Sequence, residues 1–159
     1  MDKELISDDR ELFSTSSIFS DLDDREQEAV WEICEPVEMS SGQYVFREGD
    51  EGDRLYIVAS GAVRISRIYP GAGEEALAVL KRGACFGEMA LLDRSVRSTD
   101  AVVDARCRLL TIARDDFERL LESDKEIATK VLRSVVRLLS DRLRQTNDHL
   151  RSITVMAMF

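Results

Sequence analysis

The residues with the clearest chemical potential are two charged side chains within residues 86–97, Phe-Gly-Glu-Met-Ala-Leu-Leu-Asp-Arg-Ser-Val-Arg. Gly87 and Glu88 stand at the predicted end of a strand and the start of one helical turn, and Arg97 follows nine residues after Glu88. A helix start leaves backbone N–H groups without partners, which suits an anion, and an arginine adds a planar, charged fork to the same oxygens. An ionised glutamate accepts hydrogen bonds from hydroxyls. The pattern therefore predicts a pocket for a phosphorylated sugar.

Glu88 and Arg97 also have a plainer interpretation, a surface ion pair, which is the commonest fate of such residues and adds little stability. The flanking glycine, the helical turn and the spacing favour a ligand site instead. The acidic turn at residues 49–53 lacks the alternating carboxylates of a calcium loop, so we predict no metal site. His149, the only histidine, stands beside no recognisable nucleophile, and we therefore predict that the protein is not an enzyme.

Short runs of β-branched and aromatic residues, separated by glycines, fill the region from residue 35 to residue 112. This pattern is typical of antiparallel strands joined by tight turns. The predicted strands are residues 37–39, 44–47, 54–59, 62–69, 75–81, 85–86, 99–103 and 108–112. Eight short strands indicate an antiparallel β-roll, or jelly roll, so the predicted fold is α+β and mainly β, with an N-terminal helix and two C-terminal helices.

Helical spacing flanks the β region on both sides. Acidic residues that suit a helix N-terminus precede apolar residues one turn apart near residue 21, and helical spacing returns from residue 115. The predicted helices are residues 4–13, 21–34, 115–121 and a long helix from about residue 125, with breaks at 14–17 and at 122–124. Because 159 residues are too few for two domains of ordinary size, we predict one domain, made of a helical segment 1–34, a β-roll 35–113 and helices in 114–159.

The long helix carries two apolar stripes. The first repeats at alternating steps of four and three residues, as in a coiled coil. This heptad seam consists of Leu132, Val136, Leu139, Leu143, Thr146, Leu150 and Ile153. The second stripe, predicted to pack on the β-roll, consists of Ile127, Val131, Val135 and Leu138. The seam favours a homodimer, although a terminal helix folded back on its own β-roll would also bury these leucines.

The bulk properties of the chain exclude several classes of protein. A formal net charge of -9 and a pI near 4.7 oppose binding of nucleic acid, which depends on many lysine and arginine contacts. No apolar run is long enough to span a bilayer, and the acidic N-terminus does not resemble a signal peptide, so we predict a soluble, cytoplasmic protein without a membrane partner. The three cysteines stand singly among apolar residues and are predicted to be buried.

Three stretches resemble the cyclic nucleotide-binding domain of catabolite activator-type bacterial regulators, cAMP-dependent kinase regulatory subunits and nucleotide-gated channels. The first, residues 42–61, Gly-Gln-Tyr-Val-Phe-Arg-Glu-Gly-Asp-Glu-Gly-Asp-Arg-Leu-Tyr-Ile-Val-Ala-Ser-Gly, matches the opening strands and turns of that domain. The second, Phe-Gly-Glu-Met-Ala-Leu-Leu at 86–92 followed by Arg97 and Ser98, resembles its phosphate-binding cassette, which here spans 86–99. The third, residues 142–147, is similar to the place where the bacterial regulators reach the adenine.

The resemblance implies a role for each matched residue. Glu88 would bind the ribose 2′-hydroxyl and Arg97 the cyclic phosphate, with Ser98 adding a bond to the phosphate. The family usually has alanine where this chain has Thr99, which would change the pocket beside the phosphate. The remaining implied contacts are backbone groups of Gly87, Met89 and Ala90, and, for the adenine, Thr146 and Asn147.

The resemblance implies a cyclic nucleotide sensor, with cAMP as the expected ligand and cGMP as the other candidate, that signals through its C-terminal helix to a protein effector. Two alternatives stay open. The chain could be an adaptor that keeps the fold and the dimer without binding nucleotide. It could also be a relative of the bacterial regulators without their helix-turn-helix domain, for which we expect no counterpart here, that dimerises with intact relatives.

Overall fold

The computed structural model describes residues 9–158, in which the strands form one antiparallel sheet that builds the β-roll. The strand order is β1–β6–β3–β4, and β2 also pairs with β6 and β5 with β3. The strands are β1 (Cys34–Met39), β2 (Tyr44–Phe46), β3 (Arg54–Tyr69), β4 (Gly73–Leu80), β5 (Cys85–Phe86) and β6 (Asp100–Ala113). The helices are α1 (Leu12–Thr15), α2 (Asp24–Glu32), α3 (Glu88–Asp93), α4 (Arg114–Ser123) and α5 (Lys125–Ala157).

The predicted α+β fold with a β-roll is confirmed, but the eight predicted strands become six among residues 9–158. Strand β3 joins two predicted strands on either side of Gly61, and β6 likewise joins two. The pairing of β3 with β6 shifts register at three places between Val58 and Val63. Both strands therefore bend through bulges where the sequence indicated turns, and Gly61 lies at this bend with φ 81°.

Side-chain caps define where the helices begin. Asp23 caps α2, because its carboxylate accepts from the backbone N–H of Glu26 (2.9 Å) while the Glu26 carboxylate accepts from that of Asp23 (2.8 Å). Asp124 forms the predicted break after α4 and caps α5 by accepting from the N–H groups of Glu126 and Ile127, both at 3.1 Å. Residues 4–8 of the predicted helix 4–13 lie outside the described residues. Within the described part α1 begins only at Leu12 and continues to Thr15, so the predicted break at 14–17 begins too early. No helix within residues 9–158 has the length and apolar character needed to cross a bilayer.

Helix α5 packs on the β-roll through one of its two apolar stripes. Ile127, Val131 and Val135 are buried and Leu138 packs partly against the same core, which confirms the second stripe. The heptad seam is different. Its exposed members, with 46% to 63% of their surface accessible, are Leu132, Val136, Leu143, Leu150 and Ile153. The helix therefore does not fold back to cover these residues within its own chain.

The three cysteines, Cys34, Cys85 and Cys107, are buried as predicted. Burial raises the pKa of the Cys85 thiol to about 12, and burial also raises the pKa of Cys107. Because the thiolate is the reactive form, Cys85 is an inert member of the core at neutral pH.

We predict that Gly61→Ala lowers the free energy of unfolding by more than about 3 kcal/mol, because it adds a backbone clash to an unfavourable φ. A Cβ at this position would lie 2.2 Å from the carbonyl O of Arg106 and 2.7 Å from the Cα of Cys107. Gly42 is the matched control, since it has φ 86° but nothing within 4 Å of such a Cβ. Gly42→Ala should cost only about 1–2 kcal/mol. Urea titration followed by the fluorescence of Trp31, the only tryptophan, measures the free energy of unfolding of both variants. Equal losses of stability would contradict the claim that a Cβ at position 61 clashes with β6.

Candidate functional site

Gly87 is the turn residue that joins the sheet to the cassette helix α3. It follows β5, whose Phe86 pairs with Tyr56 of β3, and its backbone is left-handed, with φ 81° and ψ 7°. A Cβ at Gly87 would lie 2.7 Å from Nη1 of Arg97 and 3.1 Å from the carbonyl O of Arg54. Glycine is therefore needed both for the turn and for the close approach of Arg97.

Arg97 is a buried cation held by neutral groups, with only 3% of its surface exposed. Its Nη1 donates to the carbonyl O of Gly87 (3.0 Å) and its Nη2 to that of Arg54 (2.8 Å). Within residues 9–158 no carboxylate forms an ion pair with it. Burial lowers the pKa of Arg97, but the guanidinium still carries its charge, as arginines in proteins do. The site thus holds a desolvated positive charge that an anion would neutralise.

Three aromatic rings form the floor beneath the Arg97 guanidinium. Tyr56 and Phe86 stack with ring centroids 5.1 Å apart, and Phe46 lies 5.9 Å from the first and 6.0 Å from the second. The Cζ of Arg97 lies 4.2 Å from the Phe46 centroid and 5.6 Å from the Tyr56 centroid. The π faces attract the cation and exclude water from one side of it. Among the described residues the buried Nε of Arg97 has no hydrogen-bond partner.

The loop of residues 47–53, between β2 and β3, fixes the main chain around Arg97. The backbone N–H of Arg97 donates to the carbonyl O of Asp50 (2.8 Å), and that of Gly49 donates to the carbonyl O of Arg97 (2.9 Å). Gly52 packs so closely on α3 that a Cβ there would lie 2.1 Å from the Cβ of Ala90. This loop therefore sets the position of Arg97 relative to the cassette helix.

Glu88, the first residue of α3, is also buried, with 3% of its surface exposed. Its Oε1 accepts a hydrogen bond from Nη1 of Arg142, an arginine of α5 whose side chain is 41% exposed. Glu88 and Arg97 thus have different partners, and their interpretation as a surface ion pair is wrong. The sequence analysis did not predict a contact for Arg142. The signal that could have found it is its place in the stretch 142–147, which resembles the adenine-contacting part of the bacterial regulators.

Two further arginines that the sequence analysis did not single out join the cassette to α4. Arg94 ends α3 with a left-handed φ of 57° and donates to both carboxylate oxygens of Glu118, each at 2.9 Å. Arg114, the first residue of α4, donates to the carbonyl O of Gly52 and to that of Ala90 (3.4 Å). The cassette helix is consequently tied to α4 as well as to α5.

The other predicted cassette contacts differ in exposure. Met89 is 47% exposed, Ser98 is exposed and Thr99 is half-buried. The carbonyl O of Ser98 accepts from Nη2 of Arg67 at 2.8 Å, a residue that the sequence analysis did not consider. The structure brings four of the predicted residues into one buried or half-buried cluster, namely Gly87, Glu88, Ala90 and Arg97.

The two residues predicted to reach the adenine lie on the surface of this chain. Thr146 and Asn147 are exposed on α5, about one helical turn beyond Arg142. The Thr146 hydroxyl donates to the carbonyl O of Arg142 at 2.9 Å. Their predicted role depends on an arrangement of two helices, which a single chain does not display.

Comparison with known proteins gives consistent matches. The sequence model of the cyclic nucleotide-binding domain matches residues 36–124. A Mycobacterium tuberculosis protein named "CRP-like cAMP-activated global transcriptional regulator" is 32% identical over 143 residues, which are 90% of this chain and 62% of that protein. The chain therefore spans less than two thirds of the length of this relative.

Two solved structures share the fold of this chain. The N-terminal domain of a transcriptional regulator from Streptomyces coelicolor superposes with a TM-score of 0.74 at 34% identity, over 86% of this chain and 95% of that one. The Thermus thermophilus catabolite activator protein superposes with a TM-score of 0.78 at 34% identity, over 87% of this chain and 63% of that one. Together with the matched residues 36–124, these similarities show that the chain belongs to the cyclic nucleotide-binding domain family.

Proposed function

We propose that this chain is a cyclic nucleotide sensor that binds the phosphate at Arg97 and the ribose at Glu88. The observation that carries the proposal is the buried Arg97 guanidinium, which has two neutral acceptors and no ion-pair partner among residues 9–158. Membership of the cyclic nucleotide-binding domain family supports an anionic nucleotide as the ligand. Its phosphate would supply the negative charge that Arg97 lacks, and its hydroxyl would donate to the Glu88 carboxylate.

The ligand we favour is cAMP, because the Mycobacterium tuberculosis relative is named as cAMP-activated. The second candidate is cGMP, since the exposed hydroxyl of Ser98 could also contact a guanine. The rest of the proposed pocket consists of backbone groups of Gly87, Met89 and Ala90, with Thr99 beside the phosphate and Thr146 and Asn147 toward the base.

The signal would reach α5 through Arg142. Glu88 accepts a hydrogen bond from Arg142, so a ribose hydroxyl that binds Glu88 would share or displace that contact. Binding would thereby change the free energy of the α5 position in which Arg142 reaches the cassette. A ligand shifts such an equilibrium only by its differential affinity for the two positions, typically ~1–3 kcal/mol. The output of the sensor is the altered position of α5.

The role we propose is regulatory rather than catalytic, with a cytoplasmic protein as the effector. The chain would act as one ligand-binding domain, whose helices carry the signal away from the β-roll. The net charge of -9 argues against nucleic acid as the partner of this chain by itself.

We also propose that α5 forms a parallel homodimer through the heptad seam. Five of its apolar members are more than 45% exposed and are not covered by any other part of residues 9–158. If Leu143 is placed at position a, Arg142 at g faces Asn147 at e of the second copy, and His149 faces Thr154. Neither pair sets like charges against each other. A parallel pair would also bring the Thr146 side chains of the two helices together, where a shared base could contact both.

An adaptor without ligand is the competing function, and Thr99 is the residue that favours it. The family usually has alanine at this position, and the half-buried threonine narrows the space beside Ser98. Isothermal titration calorimetry with cAMP and cGMP separates the two functions, because an adaptor would give no heat of binding with either nucleotide.

Arg97→Ala should weaken cAMP binding by ~30- to 1000-fold, which corresponds to ~2–4 kcal/mol, because it removes a charged fork from the phosphate. Isothermal titration calorimetry with cAMP and cGMP measures the loss. Arg106→Ala is the matched control, since it removes the same charge from an arginine that is 78% exposed and paired with Glu38. Affinity like that of the wild type in Arg97→Ala would contradict the placement of the phosphate.

Arg142→Ala should lower the free energy of unfolding of the ligand-free protein by about 1–2 kcal/mol, because it leaves the buried Glu88 carboxylate without its cation. In Glu88→Gln the same substitution should cost less, so a double-mutant cycle should give a coupling of about 1 kcal/mol. Urea titration with Trp31 fluorescence provides the four stabilities. Additive effects would show that the Glu88–Arg142 contact does not link the cassette to α5.

Leu143→Asp should convert the proposed dimer to a monomer, because it places a charge in the core of the coiled coil. Sedimentation velocity measures the mass in solution. Leu77→Asp tests a comparably exposed leucine on β4 (49% against 62%) and should leave the dimer intact. A wild-type protein that sediments as a monomer at micromolar concentration would refute the seam as a dimer contact.

A further inference from the structure

We infer that Arg67 is a positioning residue for the phosphate-binding segment, an inference that rests on the proposed function. Arg67 lies near the end of β3, and Ile65, two residues earlier, packs against the cluster that contains the aromatic floor. Because side chains alternate along a strand, Arg67 shares the face of Ile65. Arg64 lies on the opposite face, where it pairs with Glu74 (2.9 Å) and Asp104 (2.5 Å).

The Arg67 guanidinium contacts the main chain directly after Arg97. Its Nη2 donates to the carbonyl O of Ser98 at 2.8 Å and lies 3.6 Å from Oε1 of Glu48. Glu48 in turn donates its backbone N–H to the Asp100 carboxylate at 2.7 Å. Arg67 thus bridges the segment that carries the phosphate ligands and the loop that borders it.

This bridge acts where the regular sheet stops. Strand β6 begins only at Asp100, so Ser98 precedes the strand in which main-chain pairing would fix it, whereas the main chain of Arg97 is paired with the loop of residues 47–53. The carbonyl of Arg97 is held by Gly49 (2.9 Å), and the carbonyl of Ser98 is held by Arg67. Arg67 therefore sets the orientation of the peptide between Ser98 and Thr99, and with it the direction in which the Thr99 N–H meets a phosphate.

A fixed peptide matters because a cyclic phosphate presents two distinct exocyclic oxygens. A guanidinium at Arg97 and a hydroxyl at Ser98 can discriminate between these oxygens only if their separation is constant. With the tether removed, the Ser98 peptide would turn, and the preference between the two oxygens would weaken together with the affinity. A lysine at position 67 would supply the charge on a flexible stem, without the rigid planar group that holds Nη2 against both Ser98 and Glu48.

The test compares Arg67→Ala, Arg67→Lys and the control Arg64→Ala, each titrated calorimetrically with cAMP and with its Sp and Rp phosphorothioate diastereomers. We expect Arg67→Ala to bind cAMP about tenfold more weakly, with the ratio of Sp to Rp affinity moved toward one. Arg67→Lys should recover at most part of that ratio, and it serves as the test variant if Arg67→Ala does not fold. Arg64→Ala should match the wild type in affinity and in ratio.

Three results would overturn the inference. If Arg67→Ala binds like Arg64→Ala, Arg67 does not position the segment, while the proposed function stands on the wild-type affinity. If all three ligands weaken by the same factor, the substitution acts on the fold as a whole and not on the phosphate geometry. If the wild type binds none of the three, the proposed function fails, and this inference fails with it.

Discussion

The structure depends on one constraint, the burial of the Arg97 guanidinium without an ion-paired carboxylate among residues 9–158. A buried cation is costly unless hydrogen bonds replace its hydration, and here two carbonyl groups and an aromatic face do so. Gly87 is a glycine because a Cβ would occupy the space that Arg97 uses, and the loop of residues 47–53 holds the main chain on either side. The glycine, the loop and the aromatic rings thus all serve to hold a single positive charge in place.

Three other arginines connect the surroundings of Arg97 to the C-terminal helices. Arg94 and Arg114 tie the cassette to α4, and Arg142 ties Glu88 to α5. The first half of α5 is tied in turn to α2, because Lys130 pairs with the buried Glu26 at 2.7 Å. These contacts connect the cassette to α4 and α5 and, through the first half of α5, to α2.

The sequence predicted well what is local and poorly what is distant. Runs of β-branched and aromatic residues located the strands, and the acidic residues near residue 21 located the start of α2, because capping involves neighbours in the chain. Gly61 misled because glycine suits a turn and a bulge equally, and the choice depends on the partner strand. Arg142 and Arg67 meet the cassette 54 and 31 residues away from their acceptors, and no periodicity encodes such contacts. The family resemblance, by contrast, pointed to Glu88 and Arg97 because both lie within one short stretch.

The second half of α5 raises the question of what stabilises it. Beyond Arg142 every residue as far as Met158 is exposed, so roughly four turns of helix have no tertiary packing against the rest of residues 9–158. Isolated helices of this length are marginal in water, and this one carries an apolar seam. Association through the seam would supply the missing burial, and Arg142 stands at the junction between the packed half and the exposed half. A nucleotide that acts on Glu88 would therefore act at the point where α5 passes from the β-roll to its partner. Because coupling between two binding events is reciprocal, the partner on α5 would in turn set the affinity of the pocket.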